Sequence, residues 1–188
     1  MSTLRVTVLE AVRAHGYRHF DEPIPLASGE LSQDFIDAKR GLARGQDLET
    51  ACRALLDLAR DELGVDFDAV GGLTLGADQF AHGLALVGSK DWFVIRKATK
   101  DRGTRQRVEG AILGPGVRCL VVDDVVTTGG SILEACDVVL ETGAAIAAAV
   151  TLVDRGALTR RRFDERGITF APLLTYDDFG IPPVGPTT

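Results

Sequence analysis

Cysteine is scarce in this chain, and what there is does not form a pattern. Only Cys52, Cys119 and Cys136 occur; the count is odd, the flanking residues are apolar, and no Cys-x-x-Cys spacing appears. A disulfide framework and a zinc ribbon are thereby excluded, and reduced, buried thiols in a cytoplasmic protein are expected. Histidine is equally sparse, at three residues, and His15, His19 and His82 form neither a metal-ligand spacing nor a triad. No apolar run approaches the length of a membrane span, and the N-terminus lacks the core of a signal peptide. Positive charge is in deficit, with 21 Lys and Arg against 27 Asp and Glu and a net charge of −6. That balance disfavours a general grip on nucleic acid, and no appended helix-turn-helix offers another route to DNA.

What remains is an ordinary globular composition. Hydrophobic residues make up 45% of 188 residues, enough for one domain with a substantial core. Helical spacing runs from Val6 to His15 and from about Leu48 to Leu63, the latter ending at Gly64. Between them, Pro23 to Ile36 reads as a hairpin turning at Ser28-Gly29. Strands and helices then alternate. Strands are expected at Ala69–Gly72, Trp92–Ile95, Val117–Val122 and Ala145–Val153, with helices at Ala77–Val87 and Gly130–Thr142. This order predicts an α/β fold: a central parallel sheet flanked by helices on both faces, preceded by the N-terminal hairpin. The proline-bearing tail Ile181 to Thr188 is expected to be irregular.

The densest chemistry lies in Cys119 to Ser131, which reads Cys-Leu-Val-Val-Asp-Asp-Val-Val-Thr-Thr-Gly-Gly-Ser. A buried strand leads into the adjacent carboxylates Asp123 and Asp124, at the strand end where open α/β sheets bind ligands. Val125 and Val126 follow, then Thr127, Thr128, Gly129, Gly130 and Ser131, a turn whose backbone N–H groups and hydroxyls can hold a phosphate. Two carboxylates beside a phosphate cradle would repel a bare nucleotide phosphate, so sugar hydroxyls or a cation must face them. The Gly-Lys-Ser/Thr ending of a P-loop is missing.

This segment resembles the 5-phosphoribosyl-1-pyrophosphate (PRPP) motif of type I phosphoribosyltransferases. Within that family, four further stretches are similar to orotate phosphoribosyltransferases. Gly71 to Asp78, with Thr74, resembles the pyrophosphate loop. Arg96 to Arg107 carries six basic residues against Asp101, a local charge of +5, and resembles the mobile catalytic loop. Leu26 to Asp37 resembles the hood over the base, and Val153 to Gly156 carries the Asp-Arg pair whose Arg meets the orotate carboxylate.

The resemblance implies an Mg2+-dependent enzyme that moves phosphoribosyl from PRPP to orotate, in a single domain over 1–188 with a hood at about 20–40 and a mobile loop at about 97–109. It implies catalytic roles for Asp123, Asp124, Lys100 and Arg102. PRPP would be held by Arg96, Lys97, Thr74 and the run Val125 to Ser131. Orotate would meet Phe35, Ile36, Thr127 and Arg155. Mg2+ would be held by PRPP and water without a direct protein ligand, and the loop resemblance implies a homodimer. Three positions depart from the family. Arg102 stands where the loop has His, and Ala27 and Leu75 stand where some members carry Lys. An Arg can neutralise pyrophosphate but does not exchange a proton near neutral pH. A phosphoribosyltransferase of another base and a non-catalytic PRPP-binding regulator therefore stay open beside the orotate reading. Arg160, Arg161 and Arg162 read as a solvated helix face.

Overall fold

The computed structural model describes residues 1–26, 28–97 and 107–185. The chain opens with α1 (Thr3–His15), whose Ser2 hydroxyl accepts the Arg5 N–H at 3.3 Å. That cap explains why the helix begins before the apolar spacing does. An antiparallel hairpin follows, β1 (Tyr17–Pro25) and β2 (Leu31–Ile36), where the sequence predicts one. A short helix leads on, α2 (Ala38–Gly41), and then the longer α3 (Gly45–Asp57), which widens into a π turn over Leu58–Glu62. Gly64, at φ +65°, adopts the left-handed conformation that ends it.

Six strands form the main sheet: β3 (Ala69–Leu73), β4 (Asp91–Ile95), β5 (Val108–Gly110), β6 (Arg118–Val126), β7 (Ala145–Asp154) and β8 (Phe170–Thr175). Their spatial order is β5-β4-β3-β6-β7-β8, parallel except for β5. Four helices complete the chain: α4 (Asp78–Gly88), α5 (Gly130–Glu141), α6 (Thr159–Asp164) and α7 (Tyr176–Phe179). The predicted α/β architecture is present, with the helices divided between the sheet's faces. On one face Leu120 and Val122 pack with residues of α1, α3 and α4. On the other, Cys119 and Val121 pack with α5 and with Phe163 of α6. Successive strand residues point to opposite faces, so a strand covered on both reads as an unbroken apolar run.

Two expectations need correction. Strand β6 does not stop at Val122: it runs to Val126, paired with β7 as far as Val126–Asp154. The β-branched Val125 and Val126 continue the ladder, so the acidic pair lies inside the strand's last turn of pleat. The tail is not wholly irregular either. Ile181 is in the core, and Val184 bridges to Gly156 while donating its N–H to the Arg155 carbonyl at 2.7 Å.

Candidate active site

The carboxyl ends of the parallel strands carry two adjoining cavities that share Asp123, Val125 and Ser131. The first, of about 290 Å3, runs along Val125 to Ser131 and is overhung by Ser28 from the hairpin turn. Here Gly129, at φ +72°, caps α5, so the first N–H groups of that helix point into the cavity's wall. Arg162 Nη1 donates to the Thr128 carbonyl at 2.6 Å and braces the turn from α6. The sequence reading gave Arg162 to solvent; nothing in its neighbours signals this contact.

The second cavity, of about 460 Å3, is lined by Lys39, Leu73 to Gly76, Lys97, Asp123, Asp124, Val125 and Ser131. The Thr74–Leu75 peptide is cis, and the Thr74 N–H donates to the Ile95 carbonyl at 2.8 Å. Gly76 lies so close to the acidic pair that a Cβ there would run into Asp123 Oδ1 and come within 2.9 Å of Asp124 Oδ1. Both carboxylates turn back on the chain: Asp123 Oδ1 accepts the Asp124 N–H at 2.9 Å, and Asp124 Oδ1 accepts the Val125 N–H at 2.7 Å. The other Asp124 oxygen lies 2.5 Å from Lys39 Nζ. Burial, and next the neighbouring Asp124 charge, push the Asp123 carboxyl well above its ordinary range, while Lys39 pulls the other way. Lys39 is absent from the expected site residues. It comes from α2, 85 positions before Asp124, and no local pattern links the two.

A third group sits where β7 ends beside the hairpin. Arg155 is 2% exposed, and its backbone is pinned on both sides, by the Val126 carbonyl at 2.8 Å and the Val184 N–H. Its Nη2 donates to Ser32 Oγ at 2.9 Å, while its Nε is buried without a partner among the described residues. Burial lowers the Arg155 pKa; Asp34 and Tyr17 oppose that. Asp34 accepts from Tyr17 Oη at 2.7 Å and lies 2.8 Å from His19 Nδ1. Burial pushes Asp34 up, but those hydrogen bonds and the nearby Arg155 outweigh it and hold the carboxyl below its usual range. This polar cluster was missed, though the period of two in β1 puts Tyr17 and His19 on one face. Asp154 accepts the Gly156 N–H and the Thr159 hydroxyl, each at 2.9 Å, and burial raises its pKa to about 6.

Of the predicted residues, Asp123, Asp124, Thr74, Lys97 and Val125 to Ser131 line one or both cavities. Arg96 instead pairs with Glu109 at 3.1 Å, at the root of the basic segment, and lines neither. Phe35 is half-buried on β2 and Ile36 lies in the core; neither lines the cavities, and it is Ser32 of the same strand that meets Arg155. Lys100, Arg102 and Ala27 lie outside the described residues. Three His, Cys, Asp or Glu side chains nowhere converge as a metal cage among the described residues.

Residues 41–170 match the phosphoribosyl transferase domain family. The chain belongs to that family. An orotate phosphoribosyltransferase of Streptomyces avermitilis is 36% identical over 187 residues, covering 96% of this chain and 100% of that protein. One from Leptospira biflexa is 32% identical over 181 residues, covering 93% and 97%. The crystal structure of Mycobacterium tuberculosis orotate phosphoribosyltransferase in complex with PRPP superposes with a TM-score of 0.76 at 29% identity, covering 95% of this chain and 99% of that one.

Proposed function

We propose that this phosphoribosyltransferase acts on orotate, transferring phosphoribosyl from PRPP to give orotidine 5′-monophosphate and pyrophosphate in pyrimidine synthesis. The observation that carries the reading is the position of Asp123 and Asp124 between an amide-lined turn and a lysine-bearing cavity. A sugar with a phosphate at one end and a pyrophosphate at the other needs that order of groups. The kinship with orotate phosphoribosyltransferases at up to 36% identity supports orotate as the acceptor.

In this reading Thr127 to Ser131 holds the 5′-phosphate through backbone N–H groups and hydroxyls. Asp123 and Asp124 accept the ribose hydroxyls and stabilise positive charge as the C1–pyrophosphate bond breaks. Lys97, with Lys100 and Arg102 from the basic segment, neutralises the departing pyrophosphate. Arg155, with a buried guanidinium nitrogen still unpartnered, is suited to a planar carboxylate such as that of orotate. Phe35 and Ile36 would offer backbone groups to the ring from the hairpin acting as hood. A magnesium ion would be held mainly by the pyrophosphate and water, as such ions are where substrate phosphates are available. Such an ion would supply further charge neutralisation to the leaving group. Closure of the segment 97–109 over a neighbouring subunit in a homodimer would exclude water and prevent hydrolysis of PRPP. Free, buried Cys52, Cys119 and Cys136 suit a reducing, cytoplasmic setting.

The test is pyrophosphate release from PRPP and Mg2+ with a panel of bases. Orotate is expected to be the preferred acceptor. A purine preference would reject the acceptor, and PRPP binding without product from any base would leave a regulator.

A further inference from the structure

The ion pair between Lys39 and Asp124 joins a half-exposed lysine, at 48%, to a largely buried carboxylate, and solvent at the lysine end limits what the pair contributes to stability. Yet the lysine's position is well built. Helix α2 packs against α1 and β6. The Asp37 carboxylate caps it by accepting the Arg40 N–H at 3.0 Å, and the Gly16 carbonyl accepts the Asp37 N–H at 2.9 Å. Gly41 approaches α1 so closely that a Cβ would lie 3.2 Å from Val12 Cα. A short helix fixed in this way brings one ammonium to the acidic pair.

That ammonium occupies an Asp124 oxygen which, in the reading above, must accept from ribose hydroxyls. Substrate and Lys39 therefore compete for it. Once displaced, Lys39 is still in the cavity lined by Thr74, Gly76 and Lys97, where the pyrophosphate would lie. In the glycine loop of that wall Leu75, 72% exposed, contributes no charge, so among the described residues Lys97 is the other cation lining the cavity. Lysine suits such an exchange: it is a point charge on a flexible four-carbon stem, free to turn from one anion to another.

We propose that Lys39 is a substrate-contacting residue that holds Asp124 in the free enzyme and passes to the pyrophosphate of PRPP when the ribose takes its place. The proposal rests on the assignment of this cavity to PRPP. It assigns the pyrophosphate a cation from outside both the glycine loop and the basic segment.

The experiment compares binding of PRPP, pyrophosphate and orotidine 5′-monophosphate by calorimetry in wild type, Lys39→Met and Lys39→Arg. The nucleotide has the ribose hydroxyls but no pyrophosphate, so it separates the two roles. Lys39→Met is expected to weaken PRPP and pyrophosphate about tenfold or more, a loss of one charged contact. It should bind the nucleotide as well as wild type or several-fold more tightly, because Asp124 is no longer contested. Lys39→Arg should recover most of the pyrophosphate affinity. In steady state KM for PRPP should rise in Lys39→Met while KM for orotate stays unchanged. Equal weakening of PRPP and the nucleotide would overturn the proposal, because it would reduce Lys39 to a neutralising charge on Asp124. Unchanged affinities would overturn it too. Failure of wild type to bind PRPP is a separate outcome, which would remove the underlying assignment and the proposal with it.

Discussion

Asp124 presents one oxygen to the backbone and the other to Lys39, so its carboxylate is oriented before any sugar arrives. Replacing it with Asn keeps the shape and removes the charge that would face the developing oxocarbenium ion. Asp124→Asn is expected to lower kcat/KM by about 10²–10³-fold, the scale for loss of one preorganised electrostatic contact, with an unchanged unfolding midpoint. Turnover equal to wild type would remove the carboxylate from the mechanism. In the proposed function Arg155 meets the orotate carboxylate. Arg155→Lys should raise KM for orotate at least tenfold and leave PRPP affinity alone, because Lys lacks the planar fork. A matching loss of PRPP affinity would show that Arg155 serves the fold rather than the base. Asp154 gives a prediction in pH. Its folded pKa, about 6, lies above the ordinary value of 3.8, so between those values the folded state binds more protons than the unfolded chain. Stability from this group is therefore full below about pH 4, falls as pH rises toward about 6, and is flat above. Asp154→Asn retains an acceptor for Gly156 and Thr159. Denaturant unfolding across that range should show the variant gaining on wild type by about 2–3 kcal/mol as pH rises. Parallel curves would contradict the assignment.

At the scale of elements, the site depends on how closely the loop after β3 presses on the end of β6. Gly76→Ala tests that approach. The added methyl would displace both carboxylates, whose ends can rotate, so the fold should lose under about 1 kcal/mol. Catalysis should fall about 10–100-fold, because small misplacements of reacting groups are costly. A variant as active as wild type would show that the carboxylates have room to move. Much of this element scale was legible. The run Leu120 to Val122 declared a strand covered on both faces, and Gly64 marked the end of a helix. The turn that lines the first cavity was legible because its glycines and hydroxyls lie in consecutive residues, Thr127 to Ser131. Lys39 and Arg162 were not, since each reaches the site through tertiary packing, and an exposed cation in sequence looks like any solvated charge. The end of β6 was misjudged because acidic residues are poor strand formers; pairing with the long β7 overrides that preference. The hydroxyl of Thr151 on β7 also lies within hydrogen-bond reach of the Asp123 and Asp124 carbonyls, at 3.2 and 3.1 Å.

For the whole molecule, ion pairs are spread over the surface, from Arg5–Asp178 to Arg118–Asp68, and the pair of Lys39 with Asp124 faces a cavity. Among the described residues, Lys39 from α2 and Lys97, just past β4, line the cavity that holds the acidic pair. The hairpin closes over one side through Ser28 and over another through the contact of Ser32 with Arg155. In the proposed function the acidic pair and the amide-lined turn together hold an activated sugar phosphate. The most direct measurement is a calorimetric titration of PRPP, with Mg2+ present, into wild type and into the Asp123→Asn/Asp124→Asn double variant. Saturable binding to wild type, lost or weakened at least a hundredfold in the folded double variant, is the predicted result. Absence of binding to wild type, or equal binding to both proteins, would contradict the account.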